Sequence, residues 1–196
     1  MVLDLLRKSP TRRAAEKLYT AVIAAARRPK PFVEFGVPDT VEGRFEMLSA
    51  HVYLILRRLK AEGETHKRFS QALFDVFFRN MDDQLREMGV GDLTVGKKIR
   101  KLAEAFYGRM GAYEDALESD DADALALAVS RNIIGATDDE HISPGARSLA
   151  QYFSSASAAL SEKPVADLLE GSPGFPDYPA FDASGSHAAA DGETST

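Results

Sequence analysis

Residues 69–117 read FSQALFDVFFRNMDDQLREMGVGDLTVGKKIRKLAEAFYGRMGAYEDAL, and the periods inside this stretch decide the fold. In its second half, Val95, Ile99, Leu102, Phe106, Met110, Tyr113 and Leu117 recur at steps of three and four. That spacing brings side chains onto one face of a helix. Lys97, Arg100 and Lys101 fall on the opposite face. The first half is apolar on two sides: Phe69, Leu73, Val76 and Phe77 mark one, and Phe74, Phe78, Met81 and Leu85 the other. A helix apolar on two sides is expected at the centre of its domain. Its third face carries Asp75, Arg79 and Asp83, and Asp82 stands four residues before Arg86. This is a solvated ladder of charges, worth about 0.2–0.5 kcal/mol per pair. Between the two helices, Gly89-Val90-Gly91-Asp92 predicts a turn, with Gly89 where a helix end calls for a left-handed residue. Asp92 and Thr94 compete as caps for the helix that follows.

Upstream, Ser9-Pro10 is a cap followed by proline at the first helical position. Ala15, Leu18, Tyr19, Val22, Ile23 and Ala26 then make a helical stripe to about Arg28, where Pro29 and Pro31 stop it. The stretch FVEFGVPDT predicts a loop. Asp39 and Glu42 have capping-box spacing for the next helix, which runs to about Ala61. Val41, Phe45, Leu48, Val52, Ile55 and Leu59 line its inner face, and Met47, Ala50 and Leu54 a second one. Gly63 ends it, and Thr65 is placed to cap its successor. Downstream, Leu125, Val129, Ile133 and Ile134 mark a shorter helix ending at Gly135. Ser143-Pro144 repeats the cap-then-proline signal ahead of Leu149, Tyr152, Phe153 and Leu160, and Val165–Glu170 adds a turn or two. No useful alternating pattern occurs. The chain reads as all-α: one helical domain over residues 1–170, of about six to seven helices, and a partly disordered proline- and glycine-rich tail over 171–196. In that tail the polar end cannot bury enough surface to order itself, while Phe175, Tyr178 and Phe181 are placed to dock on the body.

Composition narrows the function. With no cysteine, disulfides, thiolate metal sites and cysteine nucleophiles are excluded. MVLDLLRKSP has too short an apolar run for a signal peptide, and no run of about 18 apolar residues is present. The net charge of −6 in 196 residues is unevenly spread: residues 1–113 hold 21 Lys and Arg against 14 Asp and Glu, whereas 114–196 hold 3 against 16. A basic body with an acidic final third either meets two kinds of surface or folds its tail onto itself.

Motifs for chemistry are thin. Gly91 through Lys97 matches GxxxxGK, but Lys98 follows where a phosphate loop needs Ser or Thr, and the preceding element is a helix rather than a strand. No Glu-x-x-His pair occurs, and His51, His66, His141 and His187 lack ligand spacing, so no metal is expected. His51, on the flank of an inner stripe, reads as a satisfied core histidine. Ser154, Ser155 and Ser157 lack both a nucleophile elbow and a base partner. Asp82 and Asp83 point about 100° apart on a helix and do not share a site.

The basic face is the informative feature. Lys97 and Lys98 occupy the first turn of a helix, where the dipole disfavours cations by about 0.3–1 kcal/mol each. Either Asp92 or the acidic tail neutralises them, or the face docks an anionic surface. No aromatic side chains are interleaved with these lysines, as sequence-reading RNA binders would need. The expected partner site is Gly89, Gly91, Asp92, Lys97, Lys98, Arg100 and Lys101, chosen by position.

FGVPDTVEGRFEMLSAHVYLILRRL, followed by FDVFFRNMDDQLREMGVGDLTVGKKIRKLAEAFYGR, resembles the ubiquinol–cytochrome c chaperone family of cytochrome b assembly factors. The resemblance spans roughly Leu18 to Leu117, with MGVGDLTVGKK and then AEAFYGR as its most specific blocks. It implies an all-α, non-enzymatic protein without cofactor. Its mitochondrial relatives assist newly made cytochrome b before the respiratory ubiquinol–cytochrome c reductase is assembled, near the ribosome and the inner membrane, together with a small helper protein. The implied partners here are cytochrome b or another immature membrane subunit, a helper protein, and a ribosome or anionic membrane surface, with no DNA. The implied location is the cytoplasm, peripheral to the inner membrane. Two readings from other classes stand beside it: a peripheral module that binds anionic lipid or ribosomal RNA through the basic face, and an enzyme with a helical active site.

Overall fold

The computed structural model describes residues 9–119, 121–137 and 142–181. The Ser-Pro signals start their helices as expected. Ser9 Oγ accepts from the Arg12 N–H ahead of α1 (Pro10–Ala26), and Ser143 Oγ accepts from the Ala146 N–H ahead of α7 (Pro144–Glu162). Between them lie α2 (Lys30–Val33), α3 (Val41–Ala61), α4 (Lys67–Glu87), α5 (Asp92–Glu118) and α6 (Ala122–Val129), which continues into a π turn at Ser130–Ile134. Helix α8 (Val165–Leu169) closes the series. Six principal helices and two single-turn ones are thus present among the described residues, and no strand is. His141, His187 and the tail beyond Phe181 lie outside the described residues.

Several local expectations need correction. The FVEFGVPDT stretch is not all loop, because Lys30–Val33 forms one helical turn, with Pro31 in its first turn, where no N–H is required. Thr40, not Asp39, caps α3. Its extended backbone lets Oγ1 accept from the Gly43 N–H at 3.1 Å, while Asp39 is drawn to Arg44 at 2.6 Å. Thr65 sits inside a 3₁₀ turn, Gly63–His66, and α4 starts without a side-chain cap. Neither Asp92 nor Thr94 caps α5: Gly91 takes the cap position, Asp92 is paired with Arg86 instead, and Lys97 and Lys98 fall in the second turn of the helix rather than its first.

The largest correction concerns the centre of the domain. Helix α4 has the most aromatic sequence, yet only its Phe69, Leu73, Phe77 and Met81 row is buried. The central helix is α3, in which every residue from Glu46 to Ile55 is buried. It touches α1, α4, α5, α7 and the π turn. Helix α4 instead spends its second apolar side on an aromatic stack with α5. Phe106 packs edge-on to Phe78 at 5.9 Å and against Phe77 at 5.5 Å, with Phe74 beside it at 6.0 Å. Of the predicted α5 stripe, Val95, Phe106 and Tyr113 are buried, and Ile99, Leu102, Met110 and Leu117 are half-buried. One apolar flank of the α4–α5 pair therefore remains uncovered.

The other side of α3 is sealed. His51 is fully buried; its Nδ1–H donates to the Met47 carbonyl at 2.7 Å, and its Nε2 accepts from the Tyr152 hydroxyl at 2.9 Å. Residues after α8 return across this face as an extended strap. The Phe175 ring lies 5.0 Å from the His51 ring and Tyr178 stacks 3.9 Å from Tyr152, while Phe181 and Tyr178 both pack on Phe35. Arg28 holds the strap by donating to the Pro176 carbonyl at 2.7 Å. Arg58 reaches the end of α7, donating to the carbonyls of Leu160 and Lys163 and so satisfying helix-terminal groups that would otherwise lack partners.

Candidate functional site

The uncovered flank of α4 and α5 faces the first turns of α3, and the three helices with the end of α1 enclose a groove of about 710 Å³. Two backbone features shape it. At its α4–α5 end, Gly89 adopts φ 83°. Its N–H donates to Arg86 O and the Val90 N–H to Leu85 O, the paired bonds that close a helix through a left-handed glycine. At the α3 end, a Cβ on Gly43 would fall 2.0 Å from the Pro38 carbonyl oxygen, so only glycine lets the start of α3 lie this close to the preceding loop.

The floor is apolar: Phe45 and Leu48 from α3, Met81 and Leu85 from α4, Leu102 and Ala105 from α5. Two apolar residues stand exposed on its lips, Val41 at 57% and Met88 at 53%. Cations surround this floor from three helices or their ends. Arg27 follows α1, Arg44 lies in the first turns of α3, and Lys98, Lys101 and Arg109 belong to α5; the acidic residues of the lining are Glu42 and Glu46. Arg44 is occupied by Asp39. Arg27, Lys98 and Lys101 have no ion pair among the described residues. The solvated ladder on α4 is only partly realised: Arg86 pairs with Asp82 at 2.5 Å, while Asp75 accepts from Gln71.

At the inner end of the groove, Glu46 is buried and its Oε1 lies 2.9 Å from Arg109 Nη2. Burial pushes the Glu46 carboxyl up to about 7, against the downward pull of Arg109. The pair is incompletely satisfied. Glu46 Oε2 and Arg109 Nε and Nη1 are shielded from solvent and meet no partner among the described residues. Buried polar atoms without partners are costly and uncommon, and each calls for an explanation. Arg109 also borders a second hollow, of about 600 Å³, where Ala105, Gly108 and Ala112 of α5 face α6 and the π turn.

The structure divides the residues expected to meet a partner. Lys98 and Lys101 line the groove together with Val90 from the turn. Lys97 and Arg100 are exposed but do not line it; Gly89 and Gly91 set the turn, and Asp92 is held by Arg86. One helical face does not explain this division, because Lys98 and Lys101 share a side of α5 with Leu102, Ala105 and Arg109, between the core stripe and the solvated face. Sequence reasoning did not find Glu46 and Arg109. The available signal was a charge at a core-flanking position in each helix: Glu46 inside the apolar run of α3, and Arg109 three residues after Phe106. GxxxxGK forms no loop, since Asp92 through Lys97 are helical.

Comparison with known proteins places this architecture among relatives. A family model described as ubiquinol-cytochrome C chaperone matches residues 33–175. The frog (Xenopus laevis) protein named ubiquinol-cytochrome-c reductase complex assembly factor 1 is 27% identical over 127 residues, 65% of this chain and 63% of that protein. The mouse (Mus musculus) protein of that name is 28% identical over 118 residues, 60% of this chain and 40% of its own length. The match thus spans less than two thirds of these curated relatives. The crystal structure of the Cbp3 homolog from Brucella abortus is 39% identical with a TM-score of 0.76, covering 90% of this chain and 97% of that one.

Proposed function

Because this chain belongs to the ubiquinol-cytochrome C chaperone family, we propose that it acts without catalysis, holding immature cytochrome b while the respiratory ubiquinol–cytochrome c reductase is assembled. The supporting observation is the groove, an uncovered apolar floor on a folded body, ringed by cations. A concavity of this volume, apolar in its floor with a few charged groups at its edges, is the kind of place where a partner binds. A membrane subunit awaiting its neighbours offers the matching apolar segments. The chaperone works at the cytoplasmic face of the inner membrane and reaches it as a peripheral protein. Among the described residues no helix is long and apolar enough to cross a bilayer. Lys97 and Arg100, exposed outside the groove, are available for a helper protein, a ribosome or an anionic membrane surface.

The test is genetic and biochemical together. Removing the chain from cells should deplete assembled reductase, and a tagged copy should recover cytochrome b from native membranes. Normal reductase levels in its absence would overturn the assembly role. Recovery of a different reductase subunit would keep the role and replace the client.

A further inference from the structure

We infer that the groove accepts an apolar helical segment of the client that carries an acidic side chain, and that this carboxylate pairs with Arg109 in exchange for Glu46. The inference rests on the reading that the groove is where the client sits. It adds the chemistry of the segment and the residues that select it.

Charge complementarity is the first argument. Five cations and two carboxylates line the groove, and Arg27, Lys98 and Lys101 have no ion pair among the described residues. A purely apolar occupant would leave these cations beside an apolar body, and a basic one would be repelled. The placement of the cations also favours a peptide over a lipid. They belong to three elements, from the end of α1 and the start of α3 to Arg109 well along α5 at the groove's inner end, and the apolar lips Val41 and Met88 extend the floor outward.

The second argument is the state of the Glu46–Arg109 pair. A guanidinium offers five donors in a rigid fork suited to a carboxylate. Here one nitrogen of Arg109 is engaged at 2.9 Å while Nε and Nη1 go unused, and one oxygen of Glu46 goes unused as well. The Arg109 side chain is 26% exposed and lies between two hollows, so it has room to turn toward an incoming group. An arriving carboxylate can engage the idle donors without creating a new buried charge, because it replaces one anionic partner of Arg109 with another. Glu46 is left against the groove wall, where it takes up a proton from water. Net charge in the buried site is then unchanged.

The experiment uses the full chain and three dye-labelled helical peptides of leucine and alanine, alike except for a central Glu, Gln or Lys, with binding read by fluorescence anisotropy. The Glu peptide should bind about tenfold tighter than the Gln peptide, as expected for a charge-assisted pair, and the Lys peptide weakest. The Glu-over-Gln ratio should survive ~0.5 M salt, which screens the exposed rim but not a buried pair. Glu46→Gln, which releases Arg109 and keeps the site's shape, should raise the ratio, and Arg109→Gln should reduce it to about one while Gln-peptide binding persists. Equal binding of Glu and Gln peptides would overturn the exchange while leaving a groove that binds apolar helices. If no peptide binds, or if phosphatidylglycerol vesicles alone occupy the groove and exclude the peptides, the groove is not the client site. Reductase levels in cells lacking the chain would still decide the assembly role independently.

Discussion

Two buried titratable side chains stand five residues apart on α3, and they sit in opposite environments. His51 is enclosed by α7 and the returning strap, with both ring nitrogens partnered and aromatic rings on several sides. Glu46 is also buried, though less completely, yet it keeps an unpartnered oxygen, shares an incompletely used arginine, and lies at the end of an open groove. The first arrangement is what stability alone produces: a polar group buried only with its bonds complete. The second forgoes stability at the place where the client segment is proposed to bind. Burial alone would not separate them; the count of satisfied bonds does.

The aromatic stack beneath the groove is the most destructive place to break this contrast. Phe106 is almost fully buried among Phe74, Phe77 and Phe78. Phe106→Ala should cost about 3–5 kcal/mol, a large part of the ~5–15 kcal/mol that holds a typical domain. Urea denaturation checks this, and a midpoint close to that of the unaltered chain would show that the stack is not what supports the groove.

The next effect separates the two residues by pH. Burial pushes the His51 imidazole down to about 4 from 6.5, so the unfolded chain takes up a proton before the folded one does. Its contribution is present above pH 6.5 and is lost as pH falls toward the folded value, by up to about 3 kcal/mol at about 1.4 kcal/mol per unit. Denaturation series from pH 7 to 4 should show this decline, and His51→Gln, though less stable at pH 7, should flatten that part of it. An unchanged slope in the variant would mean that carboxylates alone set the acid limit.

Glu46 has the opposite sign. Its folded pKa of about 7 lies above the ordinary 4.5. The stability linked to its protonation is complete below 4.5 and is lost as pH rises through 7. Glu46→Gln should therefore gain stability relative to the original chain as pH rises from about 4.5 through 7, by less than the His51 effect, because Arg109 offsets part of the burial. A variant that loses ground as pH rises would show that the ionised pair is a net stabiliser and that the groove's inner end is structural.

The smallest expected effect is at the rim. Reversing Lys97, Lys98 and Lys101 to Glu should leave the fold intact and change its stability little, since all three are exposed and lie beyond the first turn of α5, where the helix dipole acts. Melting curves check the fold, and reductase assembly in cells checks the docking. A variant that unfolds would show that these lysines are structural, and one that assembles reductase normally would move the docking surface elsewhere.

Much of the architecture followed from local rules. Ser9-Pro10 and Ser143-Pro144 placed two helix starts, Gly89 placed the turn between α4 and α5, and three- and four-residue periods identified Phe106, Leu73 and Leu149 as core, because caps, left-handed glycines and helical faces depend on neighbours only a few residues away. Even His51 was readable as a satisfied core histidine, although its partner Tyr152 was not. Which helix lies at the centre was not local information. The phenylalanines of α4 suggested the middle of the domain, but α3 took that place, since centrality depends on how many other helices pack around a segment rather than on how apolar it is. The groove has the same origin. Lys98 and Lys101 belonged to a basic face by sequence, but only the crossing of α3, α4 and α5 set them beside an open apolar floor and brought Glu46 within 2.9 Å of Arg109, sixty-three positions away. Periodicity assigns a side chain to a face of its own helix; what that face meets, and whether the meeting leaves a polar atom without a partner, is decided by the packing of segments distant in the chain.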